Sequence, residues 1–192
     1  VYITASHNPP QYNGLRFRHS DGSGYMSENE TIKKLFFEGR RRRSSWDKVG
    51  NIRQGDATQI VDRYAHYLLK RLPGMRPLKV VLDPGNGAAA VTAPRLFTEA
   101  GFVVRVINGE VDGRFPNRDP HPTAKTIGGL RKAVKKEGAA FGVAFDGDGD
   151  RCVFADDRGR AVQTDKVGIL VAREIARRKR GATILANLPC SM

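Results

Sequence analysis

Short apolar runs bounded by Gly, Pro, Asn or Asp alternate with segments whose apolar residues recur every three or four positions. Leu78-Lys79-Val80-Val81-Leu82 and Ala139-Ala140-Phe141-Gly142-Val143-Ala144-Phe145 read as buried strands, and Phe102 to Ile107 as another. Helical spacing is carried by Ile60, Val61, Tyr64, Leu68 and Leu69, up to the Pro73-Gly74 stop. A second helix runs through Leu96 and Phe97, and a third spans Thr126 to Glu137 with Ile127, Leu130 and Val134 inward. Strand, helix and strand over residues 78–107 make a βαβ unit, which favours parallel pairing and a right-handed crossover.

Weaker patterns flank this centre. Val1-Tyr2-Ile3 reads as a strand, and Gly14-Leu15-Arg16-Phe17-Arg18 alternates like a half-exposed one, followed by a turn at Asp21-Gly22-Ser23-Gly24. Ser27-Glu28-Asn29-Glu30 has the capping-box form and opens a helix with an Ile32, Leu35 and Phe36 stripe, ending near Gly39. Ser44 to Asp56 is polar and reads as a linker. Cys152 to Ala155 predicts a strand and Asp156 to Gly159 a turn; Asp165 is placed to cap a helix carrying Val167, Ile169, Leu170 and Ile175. Ala182 to Leu188 reads as a last strand. A first strand already under way without an initiating Met, and a last strand whose partner segments would lie beyond Met192, suggest a piece of a longer protein.

Composition narrows the class. A 40% hydrophobic content supplies a core, but no apolar run is long enough to span a bilayer, and no signal-peptide pattern is present. Two cysteines, Cys152 and Cys190, make no disulfide framework, so a reducing cytoplasm is the expected setting. Thirty-three Lys and Arg against 20 Asp and Glu leave a formal charge of +13, a field that attracts anions such as phosphorylated metabolites. The basic runs Arg40-Arg41-Arg42-Arg43 and Arg177-Arg178-Lys179-Arg180 lack interleaved aromatics, which disfavours nucleic acid as the partner.

The candidate chemistry lies at Asp146-Gly147-Asp148-Gly149-Asp150-Arg151, directly after a buried strand. Three ionised carboxylates this close repel one another, and a hard cation relieves the repulsion. In an extended strand alternate residues are roughly 6.6 Å apart, whereas magnesium–oxygen bonds are about 2.1 Å. The loop should therefore curl, and Gly147 and Gly149 permit it by adopting positive φ. An EF-hand does not fit, since Arg151 stands at the sixth position and Asp157 at the twelfth.

A solvated acidic turn is the plain alternative. Likewise Thr4-Ala5-Ser6-His7-Asn8-Pro9-Pro10 is a loop after a strand, either an ordinary turn or a presented hydroxyl. Gly85-x-Gly87-x-x-Ala90 lies between strand and helix, so a nucleotide-binding α/β module using Gly85 to Ala90 is a competing reading. The required acid is not on the following strand, which ends at Asn108; a tight turn of small residues explains the pattern equally. The proline-rich loop Asp112 to Thr123 is long enough to suggest a functional role.

The pair Thr4-Ala5-Ser6-His7-Asn8-Pro9 and Asp146-Gly147-Asp148-Gly149-Asp150-Arg151, in this order, resembles the alpha-D-phosphohexomutases, the phosphoglucomutase/phosphomannomutase family that includes phosphoglucosamine mutases. Asp83-Pro84-Gly85-Asn86-Gly87-Ala88-Ala89 and Phe115-Pro116-Asn117-Arg118-Asp119-Pro120 extend the resemblance across the chain. It implies an α/β fold with mixed sheets sandwiched between helices. Residues 1–56 would be the C-terminal part of domain I, 57–157 domain II and 158–192 the start of domain III.

It also implies an intramolecular phosphotransferase that interconverts hexose 6-phosphate and hexose 1-phosphate through a phosphoserine and a sugar 1,6-bisphosphate. Ser6 would carry the phosphoryl group, and Asp146, Asp148 and Asp150 would hold Mg2+ together with a phosphoserine oxygen. His7 would assist proton transfer, while Arg151, Asn8 and Arg16 would contact substrate. Arg16 stands where many members have a proposed general-base lysine; a guanidinium orients or neutralises but does not accept a proton. Family members are more than twice as long, so these residues alone are expected to be inactive.

Overall fold

The computed structural model describes residues 1–39, 43–72 and 76–186. In chain order its elements are β1 (Tyr2–Ile3), β2 (Leu15–Arg16), α1 (Glu28–Phe37), α2 (Ala57–Leu69), β3 (Lys79–Asp83), α3 (Ala89–Glu99), β4 (Val103–Val106), α4 (Gly128–Glu137), β5 (Phe141–Phe145), β6 (Cys152–Asp156), β7 (Ala161–Val162) and α5 (Thr164–Arg178). The polar segment before α2 holds only a 3-10 turn at Trp46–Lys48. The Pro73-Gly74 stop and Arg40 to Arg42 lie outside the described residues.

A five-stranded mixed sheet, ordered β4-β3-β5-β6-β7, carries the fold. β3 pairs in parallel with β4 and with β5; β5, β6 and β7 follow as antiparallel neighbours. The sheet thus continues through Val162. Side chains alternate across a strand, so Val81 joins Ile127, Leu130 and Val134 on one face. Val80 and Leu82 join Ala89, Ala93 and Val143 on the other, with Phe97 and Phe102 at its margin. Helices α4 and α3 therefore cover opposite faces of β3, and the α4 stripe falls where its periodicity places it.

β1 and β2 form a separate antiparallel pair, with Tyr2 opposite Arg16. Here the half-exposed reading fails for Leu15, which remains solvent-facing because nothing described covers it. Other local expectations also change. Ser27 precedes α1 but adopts helical φ −63°, ψ −31°, and makes no side-chain cap. A cap needs extended backbone to turn the hydroxyl back; the Glu28 carboxylate instead accepts the Met26 N–H at 3.1 Å. Asp165 lies inside the first turn of α5, whose N-cap is Gln163; there its charge complements the helix dipole instead of capping.

The apolar stripes of α1 and α5 bury no side chain, and α2 buries only Ala65 among its described residues. Phe36 is 73% exposed and Ile60 70%. α2 meets α3 along one edge, where Asp62 pairs with Arg95, and Ile60 points elsewhere. Residues 182–186 form no strand, since no described strand lies beside them to complete the hydrogen bonds. Among the described residues, no helix is long and apolar enough to cross a membrane.

Candidate active site

β5 delivers the acidic loop. Asp146 follows its last residue and is fully buried. The Asp146 N–H donates to the Arg151 carbonyl at 3.1 Å, and the Arg151 N–H returns to Asp146 Oδ1 at 3.0 Å. The loop is thereby closed between the antiparallel partners Phe145 and Cys152. Asp146, Asp148 and Asp150 each offer a carboxylate oxygen, all within 4.8 Å of one another. Gly149 supplies the curl with φ +78°. Gly147 does not take positive φ; a Cβ there would stand 2.5 Å from the Ser6 carbonyl oxygen, so its role is close approach.

Two oxygens of this triplet, Asp146 Oδ2 and Asp148 Oδ1, are buried without a hydrogen-bond partner. Burial pushes the Asp146 carboxyl above its ordinary range; the Arg151 N–H pulls it back, and the charges of Asp148 and Asp150 push it up again. Buried oxygens without a partner are costly. Converging oxygen donors of this kind fit a hard divalent cation such as magnesium.

Ser6 sits on the loop after β1, with φ 56°. Its N–H donates to Thr4 Oγ1 at 2.7 Å, and Thr4 Oγ1 donates to Asp148 Oδ2 at 2.9 Å. Ser6, Asn8 and Asp148 line one cleft of about 340 Å3, walled also by Tyr2, Tyr12 and Phe115. Arg16 lies on a second recess of about 310 Å3, beside Tyr2, Asp148 and Asp150. All the candidate residues are therefore brought around one acidic loop.

His7 Nδ1 is 3.2 Å from Ser6 Oγ, and His7 Nε2 is 3.5 Å from Arg151 Nη1. A guanidinium only donates. With Arg151 on Nε2, the neutral ring carries its proton on Nδ1 and donates to Ser6. Taking the serine proton through Nδ1 requires that the Arg151 contact be given up. The His121 ring packs against His7 at a tilt of 46°, with centroids 4.8 Å apart.

Beneath the loop is a buried network. The Arg118 guanidinium pairs with Asp83 at 2.9 Å and donates to the carbonyls of Asp83 and Phe145. Asp83 Oδ1 also accepts from Gly85 N–H and Asn108 Nδ2. A Cβ at Gly85 would stand 2.4 Å from the guanidinium carbon of Arg118. The side of the turn that a Gly85 Cβ would enter is thus filled by this chain's own arginine. Thr4 and Arg118 lie within the motifs quoted above without a role assigned to them, and Tyr2 and His121 lie outside those motifs. The signal for Tyr2 and Thr4 is strand alternation, which sets them on one side of the chain.

A family model for phosphoglucomutase/phosphomannomutase alpha/beta/alpha domain II matches residues 62–159, and the model for domain I matches residues 1–43. The chain belongs to the phosphoglucomutase/phosphomannomutase family. It is 40% identical to a phosphoglucomutase/phosphomannomutase of Thermococcus kodakarensis, over 98% of this chain and 42% of that protein. A probable phosphoglucosamine mutase of Methanothermobacter thermautotrophicus is 39% identical, over 100% of this chain and 41% of the relative. Among solved structures, a phosphoglucomutase/phosphomannomutase family protein of Burkholderia thailandensis superposes with a TM-score of 0.76 at 32% identity, covering 92% of this chain and 37% of that one. The chain spans about two fifths of the length of the curated relatives it matches. Within the phosphohexomutase family, then, this chain carries the Ser6 loop and the acidic loop on one body.

Proposed function

We propose that these residues form the phosphoryl-transfer centre of an intramolecular phosphotransferase interconverting hexose 6-phosphate and hexose 1-phosphate, with mannose, glucose or glucosamine as the sugar. The supporting observation is that Ser6 and Asp148 share one cleft, with the Ser6 backbone against Gly147. The 192 residues would supply the phosphoserine and its cation site, and turnover would belong to the longer protein.

In the resting state Ser6 Oγ carries the phosphoryl group. A sugar-phosphate hydroxyl attacks phosphorus, the P–Oγ bond breaks, and Oγ keeps the electron pair and takes the proton that the attacking hydroxyl gives up. His7, donating from Nδ1, is placed to hold that oxygen. The sugar bisphosphate turns, and Ser6 Oγ recovers the other phosphoryl group. Asn8, which lines the cleft, and Arg151, which reaches His7, suit sugar hydroxyls and phosphate, with Arg16 neutralising charge from the second recess. Magnesium, held by Asp146, Asp148, Asp150 and a phosphoserine oxygen, would supply neutralisation of the transferring group.

Intact-mass analysis after incubation with glucose 1,6-bisphosphate and magnesium tests this. One phosphoryl group should appear on Ser6 and be absent from Ser6→Ala. An unlabelled wild type would overturn the reading.

A further inference from the structure

We infer that Thr4 is a positioning residue that sets both the nucleophile loop and the metal-facing oxygen of Asp148; this rests on the reading proposed above. The direction of its bonds is forced. An ionised Asp148 carboxylate only accepts, so the 2.9 Å contact is donated by the Thr4 hydroxyl. That hydroxyl has one proton, and it is now spent. The Ser6 N–H therefore donates into a lone pair of the same oxygen, at 2.7 Å.

Two consequences follow from one hydroxyl. Ser6 stands at φ 56°, in the left-handed region, which L-residues adopt only at a cost. Its N–H bond to Thr4 holds that conformation. At the other end, Asp148 Oδ2 accepts from Thr4 and, at 3.3 Å, from the Tyr2 hydroxyl. Tyr2 and Thr4 thus tether the same oxygen. The carboxylate cannot then rotate freely, and Oδ1, buried and without a partner, is the oxygen left for a cation.

A local turn explains part of this, since Ser and Thr hydroxyls commonly accept an N–H two residues on. It does not explain donation to a carboxylate 144 positions away, in the loop after another sheet's strand. The Thr4 hydroxyl joins the serine loop to the acidic loop side chain to side chain. Removing a side chain that hydrogen-bonds to a metal ligand typically weakens metal binding about 10–100-fold.

The test is Mn2+ binding, followed by electron paramagnetic resonance of the free ion, on wild type, Thr4→Val, Thr4→Ser and Asp148→Asn. Thr4→Val should bind Mn2+ about tenfold or more weakly, while Thr4→Ser, which keeps the hydroxyl, binds like wild type. Melting in EDTA should leave Thr4→Val folded; if it does not fold, Thr4→Ala, which cannot clash, carries the same expectation. Wild-type affinity in the hydroxyl-free variant, with Asp148→Asn impaired, overturns the inference while leaving the metal site standing. Equal binding by wild type and Asp148→Asn overturns the metal site itself, and the inference with it.

Discussion

Gly87 and Gly147 approach so closely that a Cβ on Gly87 would lie 2.6 Å from the Gly147 carbonyl oxygen. The adjacent Ala88 N–H donates to that same oxygen at 3.0 Å. The turn after β3 and the acidic loop after β5 are therefore joined backbone to backbone. A hydroxyl or carboxylate is not needed at position 87; the absence of a side chain is.

Gly87→Ala should push the acidic loop outward, because a carbonyl oxygen cannot yield as a flexible side chain does. Overpacking of this kind costs about 1–3 kcal/mol. Urea unfolding should show that loss, and Mn2+ affinity should fall with it. Unchanged stability would mean that the two turns are not in contact.

Arg118→Met should be among the most damaging changes in the chain. It leaves Asp83 buried without its partner and removes the donor to the Phe145 carbonyl, one residue before Asp146. Breaking a buried pair from one side costs about 3–5 kcal/mol. The double variant Arg118→Met/Asp83→Asn should recover part of the loss, because the stranded charge is gone. A double variant no more stable than the single one would refute the charge argument.

The two helix starts should respond differently. Ser27 makes no side-chain cap, so Ser27→Ala should stay within about 0.5 kcal/mol of wild type. Asp56 accepts the Thr58 N–H at 2.9 Å, so Asp56→Ala should cost about 1 kcal/mol. Chemical denaturation of both variants checks the contrast, which reverses what the capping-box sequence suggests.

Asp112 sets a pH dependence. The Arg114 side chain, and then its backbone N–H, hold the Asp112 carboxyl at about 2, below its ordinary 3.8. A carboxyl depressed on folding stabilises above its unfolded value, and the contribution is lost as pH falls through 3.8 toward about 2. The pair is exposed and screened, so the effect is small. The urea midpoint of Asp112→Asn should lie below wild type at pH 6. The gap should close as the solution is acidified and narrow in high salt. A gap that persisted unchanged in acid would place the effect elsewhere.

The central strands and the α4 stripe were legible from periodicity, because burial of Val81, Ile127, Leu130 and Val134 follows from local alternation and helical spacing. The convergence of the acidic loop was legible for a similar reason: carboxylates interleaved with glycines at a strand end can curl together, and these three bring oxygens within 4.8 Å of one another. The glycines were legible as turns but not in their roles. Gly85 accommodates Arg118, and Gly87 and Gly147 accommodate neighbouring backbone.

From its own residues the chain determines where strands and helices form, which faces are apolar, and that Ser6 and three aspartates lie on loops. Only the tertiary structure decides that Thr4 and Tyr2 reach Asp148, that His7 stands between Ser6 and Arg151, and that Arg118 fills the Gly85 turn. The physical reason is range. Periodicity and capping act over one or two turns of chain, whereas hydrogen bonds between residues more than thirty positions apart depend on how whole elements are stacked.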